Sequence, residues 1–108
     1  MTPKILIIDD EKPIRNTLRD ILQYEKFEVI EAADGVEGIL MATTHKPDMV
    51  LCDIKMAKMD GLEVLAKLQE LDPDLPVVMI SGHGTIETAV ESLKKGAYDY
   101  IAKPPDLN

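Results

Sequence analysis

Three short runs of purely apolar residues constrain this chain more than anything else in it. They are Ile5–Ile8, Met49–Cys52 and Val77–Ile80. Each is too short for a helix, and none alternates with polar residues as a strand with one wet face would. Runs of this kind are strands buried on both faces, which is the habit of a parallel sheet covered by helices on each side. Phe27-Glu28-Val29-Ile30-Glu31 is a mixed strand suited to a sheet edge, and Tyr98–Ala102 is a fifth candidate.

Helical patterns fill the gaps between them. Ile14, Leu18, Ile21 and Leu22 are spaced along one helical face. Val36, Ile39 and Leu40 make a second face, opened by Asp34 with Glu37 three residues on, as in a capping box. Leu62, Leu65 and Leu68 make a third. Ile86, Ala89, Val90 and Leu93 make a fourth, which ends in Lys94-Lys95-Gly96, basic residues and then glycine at the expected stop. Strict strand–helix alternation with short connections predicts an α/β fold with a parallel sheet and right-handed crossovers. The 108 residues are one domain, 1–108, with no repeat and no linker. The pattern stops after Lys103-Pro104-Pro105, so five strands have only four helices. A missing fifth helix would withhold about three large side chains, at roughly 1.5–3 kcal/mol each. The expectation is therefore that the natural chain continues, or that another chain covers this surface.

The net charge of −8 argues against this domain gripping nucleic acid, where Lys and Arg must neutralise phosphates. No apolar run approaches the 18 or so residues of a membrane span and no signal peptide is present, so the cytoplasm is the expected compartment. Cys52, the lone cysteine, sits in an apolar run and reads as a reduced core thiol.

In such a sheet, functional groups collect beyond the carboxyl ends of the strands. Those positions carry Asp9 and Asp10, then Asp53, then Ser81 in the stretch SGHGT, then Lys103. Three carboxylates would raise one another's pKa in an empty site, and a divalent cation removes the conflict. All-oxygen ligands point to a hard cation such as Mg²⁺. Lys103 and Ser81 then suit a second anion, a phosphoryl group, and Asp53 is placed to attack it and form an aspartyl phosphate. Each residue alone has a plainer reading. Asp9-Asp10-Glu11 would cap the first helix, with Pro13 in its first turn. Asp53 and Ser81 would be turn residues, and Lys103 a surface lysine. Tyr100 would be a strand aromatic and His83 a solvated loop histidine. Met56 and Met59 would be packing residues.

Taken together, ILIIDDE, LCDIKMAKMDGLEVL, ISGHGT and YIAKPP resemble the receiver domain of two-component response regulators, over the whole chain. The resemblance implies a flavodoxin-like, doubly wound five-stranded sheet of order 2-1-3-4-5. It implies that Asp53 accepts phosphate from a histidine kinase and that the domain promotes its own phosphorylation and slow dephosphorylation. Asp10 would ligate Mg²⁺ directly and Asp9 through water, with the Lys55 carbonyl a further ligand. Ser81 and Lys103 would contact the phosphate, and Tyr100 would swing inward with Ser81 as a switch. The fourth helix and fifth strand would form the output face, toward an output domain or as a dimer contact. The stretch from Ser81 to Pro104 looks most like receivers attached to AAA+, DNA-binding transcription activators. Two departures stand out: the fifth helix is missing, and Ala57 stands where the family usually has proline, which should loosen the loop carrying Lys55.

Three other functions compete. A phosphotransferase or phosphatase resembling the haloacid dehalogenases would need a second acid two residues beyond its nucleophile, and Lys55 stands there. A nucleotide or flavin binder would need a glycine-rich first loop, and this one reads DDEKP. A receiver acting through binding alone should lack part of the acid–lysine set, and none is missing.

Overall fold

The structure, a computed structural model, describes residues 2–82 and 86–103. Its elements run β1 (Lys4–Ile8), α1 (Lys12–Tyr24), β2 (Glu28–Ala32), α2 (Gly35–His45), β3 (Met49–Asp53), α3 (Gly61–Leu71), β4 (Val77–Ser81), α4 (Ile86–Lys94) and β5 (Asp99–Ala102). All strand pairs are parallel, in the order β2-β1-β3-β4-β5. The three apolar runs are the three interior strands. The mixed segment and the fifth candidate are the two edges. Residues beyond Lys103, where a fifth helix would start, lie outside the described residues, as do His83 and Pro104. Among the described residues, no helix is long and apolar enough to cross a membrane.

Side chains alternate along each strand and build a core on each face. Leu6, Ile8, Val50, Cys52, Val77 and Met79 pack with Val64, Leu65 and Leu68 of α3 and Ala42 of α2. Ile5, Ile7, Leu51, Val78 and Ile80 face the other way, against Leu18 and Leu22 of α1.

Two helix faces differ from the periodicity argument. In α2 the expected face of Val36, Ile39 and Leu40 is mostly outward: Val36 and Leu40 are 66% and 62% exposed. The helix instead seats on Gly35, Gly38 and Ala42. A Cβ at Gly38 would come within 2.9 Å of Ile8 Cγ1, and one at Gly35 within 2.7 Å of Val64 Cγ2. Small residues let the helix lie so close that larger neighbours are turned away. In α4, Val90 and Leu93 are exposed, and Ser92 is buried with its hydroxyl donating to the Thr88 carbonyl at 3.0 Å. Ile21 of α1 is likewise exposed.

The helix starts follow their sequence signals. Asp34 Oδ1 accepts from the Glu37 N–H at 2.8 Å, and Glu37 reaches back to the Ala33 N–H at 2.7 Å. Asp60 caps α3 in the same manner, accepting from the Glu63 N–H at 3.0 Å. At the other end of α4, Gly96 has φ +105°, the left-handed stop that the Lys-Lys-Gly ending predicts.

Candidate functional site

Strand ends bring the residues together. Asp9 follows β1 directly, Asp53 and Ser81 close β3 and β4, and Lys103 follows β5. The register Ile8↔Cys52, Asp53↔Ile80 and Ser81↔Ala102 sets these ends at one level. The Lys103 N–H donates to the Ser81 carbonyl at 2.9 Å, so the last two ends are tied.

Lys103 is the hub. Its Nζ lies 3.0 Å from Asp9 Oδ2 and 3.3 Å from Asp53 Oδ1, and all three side chains are buried. Burial alone would lower the ammonium's pKa. The hydrogen bond and charge of Asp9, then those of Asp53, outweigh it, and the net shift is upward. Asp53 goes the other way for a carboxylate. Burial and then the Asp9 charge push it up to about 6, against the pull of Lys103. Asp9 is held at both oxygens, since Oδ1 accepts from the Glu11 N–H at 2.9 Å.

That last bond bears on the helix-cap reading. Glu11 is the N-cap of α1, but no side chain caps the helix there. Asp9 binds a backbone N–H before the helix and turns its other oxygen to Lys103, so the acids face the site.

Asp9, Asp10, Glu11 and Asp53 each offer a carboxylate oxygen, all within 4.8 Å of one another. Four carboxylates around one ammonium are in charge excess, and an all-oxygen donor set fits a hard divalent cation such as Mg²⁺. Glu11 is the addition here: it lies beyond the strand end, and strand-end alignment alone gave no reason to include it.

The surroundings of Asp53 are tight. The Ile54 N–H donates to the Ile80 carbonyl and the Gly61 N–H to the Ile54 carbonyl, at 3.0 and 2.7 Å. A Cβ on Gly61 would meet the Asp53 carbonyl group and lie 2.7 Å from Ile54 Cα. Lys55 is exposed in the loop after β3. In that loop the Met59 N–H donates back to the Ala57 carbonyl at 2.9 Å across Lys58 at φ +70°, a γ-turn of the strained kind. Met56 and Met59 pack against the core. Cys52 is a core thiol that donates to the Asp53 carbonyl at 3.4 Å, and burial pushes its pKa up, which keeps it unreactive. Tyr100 is half-buried, in register with Met79 and packed on the same core.

Residues 5–108 match the family described as the response regulator receiver domain. The chain is 38% identical over 102 residues to the C4-dicarboxylate transport transcriptional regulatory protein DctD of Rhizobium meliloti, covering 94% of this chain but 22% of that protein. It is 34% identical over 108 residues to sporulation initiation phosphotransferase F of Bacillus subtilis, covering 100% of this chain and 87% of that one. Among solved structures, it is similar to a chain of the CheX–CheY–BeF3–Mg complex of Borrelia burgdorferi, with 37% identity and a TM-score of 0.91 over 97% of this chain and 81% of that one. The chain thus spans about a fifth of the first relative and most of the second.

Proposed function

Because this chain belongs to the response regulator receiver domain family, we propose that Asp53 is its phosphoacceptor and a histidine kinase its donor. The observation that carries this reading is the buried Lys103 ammonium, 3.0 Å from Asp9 and 3.3 Å from Asp53. It is a positive donor already in place for an oxygen of a phosphoryl group on Asp53. Residues 1–108 act as one receiver domain.

An ionised Asp53 oxygen attacks phosphorus as the P–N bond of a phosphohistidine breaks. The imidazole nitrogen keeps the bonding pair and takes a proton from solvent, leaving an aspartyl phosphate. Asp10 directly, Asp9 through water, Asp53 and the Lys55 carbonyl would hold Mg²⁺, which supplies charge neutralisation for the carboxylates and the phosphoryl oxygens when bound. Lys103 turns from Asp9 toward the phosphoryl group, and the Ser81 hydroxyl donates to it. The same set supports slow hydrolysis of the product, so the domain promotes its own phosphorylation and dephosphorylation without turning over a separate substrate.

The signal is a population shift. Ser81 draws toward the phosphate, Tyr100 turns inward, and the surface of α4 and β5 changes. We assign that surface to an output domain or a second copy of the chain. The transcriptional regulator among the relatives supports a gene-regulatory output, and the resemblance of the stretch from Ser81 to Pro104 is our ground for giving that output AAA+ and DNA-binding parts. With a charge of −8, the receiver makes no nucleic-acid contact of its own, and we place it in the cytoplasm.

Intact mass after incubation with Mg²⁺ and a small phosphodonor tests the chemistry. One added phosphoryl group is expected, lost without Mg²⁺ and in Asp53→Ala. No addition to the wild type, or equal addition to the variant, would remove Asp53 from its role.

A further inference from the structure

Arg15 belongs to none of the strand ends that supply the acids, yet it reaches their main chain. Its Nη1 donates to the Asp9 carbonyl oxygen at 2.6 Å, and its Nε lies 3.3 Å from Glu31 Oε1 on β2. The side chain is only 14% exposed. Glu31 is held a second time by Arg19 Nη1 at 3.5 Å.

The peptide unit that Arg15 grips is the one joining Asp9 to Asp10. The ladder between β1 and β2 continues to the Asp9 N–H, which donates to the Ala32 carbonyl at 3.1 Å. From Ala33 the chain leaves the sheet, and its N–H goes to Glu37 in the start of α2. The Asp9 carbonyl lies past the end of the ladder and takes Arg15 instead. A peptide unit is planar, so fixing its carbonyl fixes the direction in which the Asp10 Cα leaves it. Asp10 depends on this more than its neighbours do. Asp9 is tied by Glu11 and Lys103, and Asp53 by Lys103. Among the described residues, the exposed Asp10 carboxylate has no hydrogen-bond or ion-pair partner, so what fixes its direction of departure is its main chain alone.

We propose that Arg15 is a positioning residue: through the Asp9–Asp10 peptide it aims Asp10 at a divalent cation, with Glu31 orienting the guanidinium. The inference rests on reading the acid cluster as a Mg²⁺ site. It commits to a sign. By charge alone, removing a cation beside four carboxylates tightens divalent-cation binding. By positioning, removing it weakens binding, and losing a group that orients a metal ligand typically lowers affinity about 10–100-fold.

The test is Mg²⁺ itself, titrated into the wild type, Asp10→Asn, Arg15→Met and Arg15→Lys and followed by backbone amide NMR shifts. Saturable shifts around Asp9, Asp10 and Asp53 that Asp10→Asn loses establish the site. Arg15→Met is then expected to raise the Mg²⁺ dissociation constant about tenfold or more. Arg15→Lys should raise it too, because an ammonium lacks the fork that holds Asp9 and Glu31 together. An unchanged or lower constant in Arg15→Met overturns the role of Arg15 and leaves the site standing. If Arg15→Met does not fold, an unchanged or lower constant in Arg15→Lys overturns it in the same way. A wild type without saturable shifts overturns the site reading, and the proposal with it.

Discussion

Asp53 is a carboxylate buried at the expense of stability. Its pKa in the folded chain is raised to about 6, while an unfolded aspartate titrates near 3.9. The folded state therefore holds this proton more tightly, and the stabilisation it brings is complete below about pH 4. It declines between about pH 4 and pH 6 and is gone above that. At neutral pH without Mg²⁺, the ionised carboxylate then opposes folding by on the order of 1–3 kcal/mol. Asp53→Asn should melt at least about 4 °C above the wild type at pH 7 in EDTA, with the difference closing by about pH 4. Equal melting at pH 7, or a gap that persists at pH 4, would count against this. Gly61 presses on the same residue from behind. Gly61→Ala has only the backbone of Asp53 and Ile54 to push against, so it should lose about 1–3 kcal/mol. It should also slow phosphoryl transfer in the intact-mass assay; unchanged stability and rate would show that the loop yields freely. Asp9, Asp53 and Lys103 were legible from strand ends alone, because burial of a strand fixes where its last residue emerges. Arg15 was not: a helix arginine carries no local sign that its partner is a main-chain carbonyl six residues back.

At the scale of elements, strands were easier to read than helix faces. A run of four apolar residues has one reading in a parallel sheet, whereas the packing of a helix depends on how near it sits. In α2 and α4 the large apolar residues are not the buried ones, because small residues form the contact face. Gly35, Gly38 and Ala42 bring α2 close, and Ser92 buries itself by returning its hydroxyl to Thr88. The capping at Asp34 was legible, being a side chain–backbone bond between near neighbours. Asp34→Ala should lower stability by about 0.5–2 kcal/mol in urea unfolding. The far end of α2 invites the opposite change, since Lys46 closes it at φ +48° with its N–H on the Ala42 carbonyl. Lys46→Gly should raise stability by roughly 0.5–1 kcal/mol, because glycine holds that conformation without a Cβ clash. A loss in Lys46→Gly would mean that the lysine makes contacts worth more than the strain it bears.

For the whole molecule, the site doubles as a clasp. Lys103→Met would leave two buried carboxylates without their shared cation. It should destabilise the chain by about 3 kcal/mol or more at pH 7, and less at pH 4, where the acids take up protons. A variant as stable as the wild type at both pH values would mean that the clasp contributes specificity alone. The pair Lys103–Asp9 joins residues 94 positions apart, the first strand to the last. Closing so long a loop is entropically slow and must wait for the β-strands between to find their order. During synthesis, the acids that follow β1 emerge early and wait for Lys103, the ammonium that offsets part of their charge. A chain stalled short of β5, or stuck with its last strand undocked, holds every acid of the site but lacks the lysine that would steady a phosphoryl group. With Lys103 in the role proposed for it, such a chain would stay silent, and signalling would also report that translation and folding have reached the end of the sheet.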